Sequence, residues 1–271
     1  MKRTVFFVSD GTAITTETLG HSLLTQFPDI EFIQERLPFI SSVASANVAV
    51  VRINEASKRD GAAAIVFNTI VDEDLCVVIR SSDGVILDLF AAFLKPLERA
   101  LGTAHEPTVG RAHGVYDVEK YEDRMSATNY AMTHDDGISI DFAEADLILV
   151  GVSRSGKTPT CLYMALHFGV KAANYPLTPE DLDEMRLPSF LRRYKRKIAG
   201  LMIEPERLTQ IRETRKPGSR YASIRQCRQE VDAAESLFRM EGIPVFHTTH
   251  SSIEEISSRV LLQLGLQREM F

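Results

Sequence analysis

The chain has 271 residues, 44% hydrophobic and 25% charged, with 15 Gly and 11 Pro; these are globular averages that exclude fibrous and disordered classes and allow one or two domains. Its net charge of −6 is unevenly spread, because residues 186–228 hold thirteen Lys or Arg against Glu204, Glu206 and Glu213, a basic stretch suited to phosphates, an acidic partner or nucleic acid. Cys76, Cys161 and Cys227 lack CxxC spacing, the apolar run 5–8 is too short for a signal peptide, and no stretch approaches a membrane span, so a soluble cytoplasmic protein without a disulfide framework is expected.

In chain order, residues 4–9 (TVFFVS) read as a buried strand ending at Asp10-Gly11. Residues 12–27 space Ile14, Leu19, Leu23 and Leu24 as in a helix, with Pro28-Asp29 as its stop. Strands are then expected at 31–40, 62–70 and 85–90, alternating with helices at 43–58, 72–80 and 91–101. Such alternation predicts a parallel, doubly wound sheet, because parallel neighbours need a crossover between them. From 102 to 137 the pattern weakens and Gly, His, Pro and acids accumulate, as in His105-Glu106-Pro107 and His113-Gly114. A connection is expected there, packed through Tyr116, Tyr121, Met125, Tyr130 and Met132. A second α/β unit follows, with strands at 147–150, 171–175, 198–203 and 244–248 and helices at 159–168 and 253–265.

The clearest motif is Gly151-Val152-Ser153-Arg154-Ser155-Gly156-Lys157-Thr158, which fits GxxxxGK[ST] at every fixed position between a strand and a helix. Glycines let successive N–H groups turn inward, and the helix adds its positive N-terminal end, so phosphate oxygens are held without a metal cage. Lys157 would meet the phosphates as a point charge and Thr158 would offer its hydroxyl to Mg²⁺, with Pro159 suited to the first helical turn. No [NT]KxD motif for guanine is present, and Leu201-Met202-Ile203-Glu204 is a weak match to a Mg²⁺-holding acidic strand end. A compact unit with a basic insertion favours kinase chemistry, in which arginines neutralise developing charge.

Five segments together carry a resemblance over almost the whole chain: Ser9-Asp10-Gly11-Thr12, His134-Asp135-Asp136-Gly137, residues 151–160, Ala172-Ala173-Asn174-Tyr175-Pro176, and Ser219-Arg220-Tyr221-Ala222-Ser223 with Gln226-Cys227-Arg228. The chain resembles the phosphoenolpyruvate synthase regulatory proteins, bacterial relatives of the pyruvate, phosphate dikinase regulatory proteins. The resemblance implies a bifunctional enzyme. It would phosphorylate a threonine of the synthase with ADP, inactivating it, and remove that phosphate with inorganic phosphate, releasing pyrophosphate. It also implies that the nucleotide lies on Gly151, Val152, Ser153, Arg154, Ser155, Gly156, Lys157 and Thr158.

Other roles follow from chemistry. A carboxylate must accept the threonine proton, and Asp135, Asp136 and Asp10 are the candidates; each also fits an Asx turn closed by a glycine. His134 fits phosphate contact or packing. Arg154, Arg220, Arg225 and Arg228 fit phosphate or target contacts, or surface ion pairs. Because ADP donates its β-phosphoryl, ADP is expected one phosphate position away from the usual placement, or the threonine must reach unusually deep, with Lys157 bridging the α- and β-phosphates.

The expected architecture is therefore α/β, a Rossmann-like parallel-sheet domain over 1–104, a connection over 105–140 and a P-loop kinase-like domain over 141–271. Phosphoenolpyruvate synthase is the expected partner, with neither nucleic acid nor membrane, and a homodimer is left open. The alternatives are the same chemistry on the dikinase, an ATP-dependent kinase of a small metabolite, and a nucleotide-sensing or RNA-binding module. Against RNA, the basic stretch lacks interleaved surface aromatics.

Overall fold

A computed structural model describes residues 2–106 and 118–266, and the chain forms two compact units, Met1–Gly114 and Val115–Phe271. His113-Gly114 and Tyr116 lie outside the described residues. Within the segment expected as a connection over 105–140, residues 118–133 form a helix of the second unit.

The first unit alternates β1 (Lys2–Val8), α1 (Ile14–Leu24), β2 (Glu31–Leu37), α2 (Val43–Asp60), β3 (Ile65–Asn68), α3 (Glu73–Arg80), β4 (Val85–Asp88) and α4 (Leu89–Leu101). Its four strands are parallel in the order β2-β1-β3-β4. Val5, Phe6, Phe7 and Val8 are all buried, as a strand covered on both faces requires. Phe6 and Val8 pack with Ala49, Ile53 and Ile79 of α2 and α3. Val5 and Phe7 face Leu24 and Phe67 on the other side. Side chains start three helices: Ser42 in a capping box with Ser45, Asp72 on the N–H groups of Asp74 and Leu75, and Asp88 on that of Ala91.

The second unit contains α5 (Val118–Thr133), β5 (Leu147–Gly151), α6 (Lys157–Phe168), β6 (Ala172–Pro176), α7 (Pro179–Glu184), α8 (Ser189–Arg192), β7 (Ile198–Met202), α9 (Pro205–Arg215), α10 (Ile224–Glu241), β8 (Val245–His247) and α11 (Ile253–Leu264). Its parallel sheet runs β6-β5-β7-β8. Leu147, Leu149, Met164, Val260 and Leu261 form the core on one face of the sheet. Ile148, Val150, Ile198, Leu237 and Phe238 form it on the other. Both units are thus the parallel α/β sheets expected from the alternation. No helix among the described residues is long and apolar enough to cross a membrane.

Five helices were not anticipated: the short α7 and α8, and three longer ones. In α10, Cys227, Val231, Ala234, Leu237 and Phe238 make a buried stripe, which the charge of the basic stretch obscures. In α9 only Leu208 and Arg212 are buried, too few for a periodic signal. In α5 the apolar residues are scattered among polar ones, and its anchor is the burial of the small Ala127 and Ala131 against the α6 side of the sheet.

Candidate functional site

β5 is buried along its whole length and delivers residues 151–158 at its carboxyl end. Gly151 is required there, because a Cβ would lie 2.5 Å from the Leu201 carbonyl oxygen and 2.8 Å from Ser155 Oγ. Beyond it the backbone turns through left-handed conformations at Arg154 (φ 74°) and Gly156 (φ 94°). Alternating hands turn neighbouring N–H groups toward one side, the geometry of an anion-binding concavity. Gly156 caps α6 without a side-chain hydrogen bond, and Thr160 Oγ1 donates to its carbonyl at 2.8 Å. Ser155 is fully buried beneath the loop, and its Oγ has no hydrogen-bond partner among the described residues.

Lys157 is 3% exposed, and its ammonium donates to the Val152 carbonyl at 3.0 Å. Burial pulls its pKa down to about 8, opposed chiefly by the Asp136 carboxylate and more weakly by Asp135. A lysine so placed is held by the loop itself and has one internal acceptor to exchange for an anion.

The next side chain, Thr158, donates its hydroxyl to Asp135 Oδ1 at 2.7 Å. Asn174 in β6 donates its amide to the same Asp135 oxygen and lies 3.4 Å from Thr158 Oγ1. Its carbonyl oxygen accepts the Asp136 N–H at 3.0 Å, and its own N–H donates to the His134 carbonyl at 3.1 Å. Asn174 thus ties residues 134–136, at the end of α5, to the helix start at Thr158. Asp136 takes a left-handed φ of 47° and has an exposed side chain.

These contacts sort the sequence candidates. Asp135, Asp136, Lys157 and Thr158 come together. His134 packs instead: its ring stacks on Tyr130 with centroids 3.9 Å apart, and its nitrogens lie 2.9 and 3.0 Å from the carbonyls of Tyr130 and Asp141. Asp10 belongs to the first unit, where its carboxylate accepts the Val71 N–H at 2.7 Å. Glu204, the weak acidic match, is the exposed residue before α9, and its N–H donates to Thr249 Oγ1. Among the arginines, Arg228 pairs with Glu206 on the surface at 2.8 Å, while Arg154, Arg220 and Arg225 are exposed.

Three participants escaped the sequence reading. Asn174 stood in a quoted motif without a role, although a polar residue inside the apolar strand 171–175 was a readable signal. Arg212 is fully buried, bonded to the Ser153 carbonyl at 3.0 Å and to Glu230 at 2.6 Å. Its only sequence signal was membership of the basic stretch. Tyr221, from the quoted segment 219–223, places its hydroxyl 3.0 Å from Ser153 Oγ.

Thr158 and Asp135 fit a magnesium ion better than a fully caged one. The Thr158 oxygen keeps lone pairs after donating its proton, and no cluster of three or more His, Cys, Asp or Glu suited to a metal occurs among the described residues. Mg²⁺ characteristically takes one or two protein oxygens and fills its octahedron with water and phosphate.

A parallel α/β unit with a lysine and a hydroxyl at the head of the helix that follows its first strand, and a carboxylate on that hydroxyl, is the build of a phosphotransferase. A family model described as Kinase/pyrophosphorylase matches residues 5–261, which covers strands of both units. The chain belongs to that kinase/pyrophosphorylase family. It is 54% identical over 99% of its length to a Stenotrophomonas maltophilia (strain K279a) protein named "Putative phosphoenolpyruvate synthase regulatory protein", covering 98% of that protein. Proteins of the same name from Xanthomonas campestris pv. campestris (strain B100) and Xanthomonas oryzae pv. oryzae (strain MAFF 311018) are also 54% identical, with the same coverage.

Proposed function

We propose that this protein regulates phosphoenolpyruvate synthase by two reactions at loop 151–158. In one, a threonine hydroxyl of the synthase attacks the β-phosphorus of ADP, the bond to the bridging oxygen breaks, and AMP leaves. In the other, inorganic phosphate attacks the phosphothreonine phosphorus, the threonine oxygen leaves and takes a proton, and pyrophosphate is released. The observation that carries this reading is the Asp135, Thr158 and Asn174 cluster beside Lys157, supported by the family and by the names of its relatives.

The roles follow from the contacts. Lys157 exchanges the Val152 carbonyl for phosphate oxygens, bringing a positive charge to where negative charge accumulates. Thr158 and Asp135 would hold Mg²⁺, which when bound offsets charge on the phosphates. Asn174 fixes Asp135 by bonding the same oxygen as Thr158, so that carboxylate is committed to orientation. Asp136 is the free carboxylate: its backbone is pinned by Asn174, its side chain takes no hydrogen bond among the described residues, and it is close enough to oppose the desolvation of Lys157. It is the general base for the threonine proton, a role that contributes roughly 10²–10⁴-fold. With the β-phosphoryl as the transferred group, ADP binds one phosphate position outward of a triphosphate.

The test mixes purified protein with phosphoenolpyruvate synthase and either ADP or ATP, follows threonine phosphorylation by mass spectrometry, and then adds phosphate and assays pyrophosphate. Transfer from ADP, reversed by phosphate, is expected. Transfer from ATP alone, or modification of pyruvate, phosphate dikinase in its place, overturns the donor or the target. Asp136→Asn is expected to lower kcat by about 10²-fold or more with little change in the KM for ADP, and Asp135→Asn to raise the Mg²⁺ concentration needed. Equal kcat in Asp136→Asn and wild type removes Asp136 as base.

A further inference from the structure

Arg212 is the largest fully buried side chain of the described residues, at 0% exposure. Its guanidinium lies 4.1 Å over the Tyr221 ring. One terminal nitrogen donates to the Tyr221 carbonyl at 3.1 Å; the other donates to the Ser153 carbonyl at 3.0 Å and to Glu230 Oε2 at 2.6 Å. A buried ion pair is a weak device for stability, because desolvation of both charges offsets their attraction and an apolar replacement is often as stable. The geometry gives it another use.

A trans peptide is planar, and its C=O and N–H point in opposite directions; no cis peptide bond occurs in the described chain. Arg212 draws the Ser153 carbonyl into the protein, so the Arg154 N–H of the same peptide is turned outward. Val152 is held similarly: its carbonyl accepts from Ser155 N–H at 3.2 Å and from Lys157 at 3.0 Å, which turns the Ser153 N–H away from the interior. The left-handed Arg154 lies between these peptides and Gly156. The Tyr221 hydroxyl adds a second tether at Ser153 Oγ, so the segment 219–223 and the loop are joined both by the guanidinium and by this hydroxyl.

We infer that Arg212 is the positioning residue of the phosphate loop. It fixes the Ser153–Arg154 peptide so that the Arg154 N–H faces the anion, and it couples the loop to the segment that carries Arg220 and Tyr221. The inference rests on the reading of loop 151–158 as a phosphate site, and it names a residue that acts without touching the ligand. A lysine cannot replace it, because an ammonium lacks the planar fork that reaches Ser153, Tyr221 and Glu230 together.

The experiment measures the affinities of the full chain for ADP and for pyrophosphate by calorimetry, with the ligand-free melting temperature of each variant. Arg212→Lys is expected to bind both anions about tenfold more weakly at a temperature where it is fully folded. Arg239→Ala, which removes a surface pair with Glu235, should bind as wild type does. An Arg212→Lys chain that melts earlier yet binds ADP within twofold of wild type overturns the positioning role and leaves Arg212 as a structural ion. Should Arg212→Lys fail to fold, Glu230→Gln removes the counter-charge and keeps the arginine; about threefold weaker binding supports the inference and equal binding overturns it. A wild-type chain that binds neither anion sinks the phosphate-site reading as well, whereas wild-type binding with unweakened variants sinks this inference alone.

Discussion

The two units have the same strand order, with the first strand between the second and third and the fourth outside the third, yet their first loops are built differently. In the first unit the loop after β1 consumes its own polar groups. Ser9 Oγ accepts the Gly11 N–H, the Ser9 and Gly11 carbonyls accept from Ile40 and Phe39, and Asp10 accepts from Val71. In the second unit the loop after β5 carries a buried lysine with one internal acceptor and two left-handed residues. A parallel sheet offers a crevice at the carboxyl end of its first and third strands wherever the order reverses. The comparison teaches that topology supplies the place twice, while only the loop after β5 carries the side chains on which the proposed phosphate site rests.

The largest expected effect tests the equipped loop. Lys157→Met keeps the volume and removes the charge, and it is expected to lower phosphoryl transfer roughly 10³-fold, the scale of a lost transition-state donor. The same residue sets a pH dependence. Its folded pKa of about 8 lies below the ordinary lysine value of 10.5, so the unfolded chain binds more protons between those pH values. The sign follows: this group costs stability below pH 8, and the cost disappears as pH rises toward 10.5. Wild type should therefore gain stability relative to Lys157→Met from pH 7 to 10, by something on the order of 3 kcal/mol at most. ADP affinity should fall over the same range as the ammonium is lost. Urea unfolding at both pH values checks the first and calorimetry the second; a pH-independent difference between the two chains would remove the buried-cation account.

Much of this contrast was readable in the sequence and some was not. Strands such as β1 and β5 announce themselves as short apolar runs, and loop 151–158 is a contiguous pattern that can be recognised without its distant neighbours. The cluster around it is assembled from α5, β6, α9 and the segment 219–223, far apart in sequence. Asp135 could be suspected as a carboxylate on a glycine turn. That it shares an oxygen with Thr158 and Asn174 depends on the parallel pairing of Leu149 with Asn174, which no local pattern encodes. Arg212 was hidden for a related reason: burial of a cation is decided by Glu230 and two carbonyls, not by its neighbours in a polar helix.

A smaller effect separates two kinds of close packing. In the first unit a Cβ on Gly20 would meet Phe7 Cε1 at 2.5 Å and Phe67 Cδ2 at 2.9 Å, ring atoms in a core that can shift. Gly20→Ala is expected to cost roughly 1–2 kcal/mol, overpacking offset in part by better helix propensity, with ADP affinity unchanged. In the second unit the obstacle to Gly151→Ala is the Leu201 carbonyl of β7, which moves only with the sheet. That substitution should cost about 3 kcal/mol or more and abolish measurable ADP binding. Unfolding and calorimetry on both variants decide it; loss of ADP binding in Gly20→Ala would erase the contrast.

The smallest effect belongs to the loop of the first unit. Asp10→Ala leaves the Val71 N–H without its 2.7 Å acceptor, and an unpaired, partly buried amide costs about 1 kcal/mol. If Asp10 serves only to tie the loop after β1 to residue 71, the variant unfolds slightly earlier while ADP affinity and threonine transfer stay within about twofold of wild type. Asp10 is also a carboxylate that could have served as base, which gives the experiment its force. A loss of transfer as large as that of Asp136→Asn, with ADP binding intact, would make the first unit a contributor to the chemistry and move the base from Asp136 to Asp10.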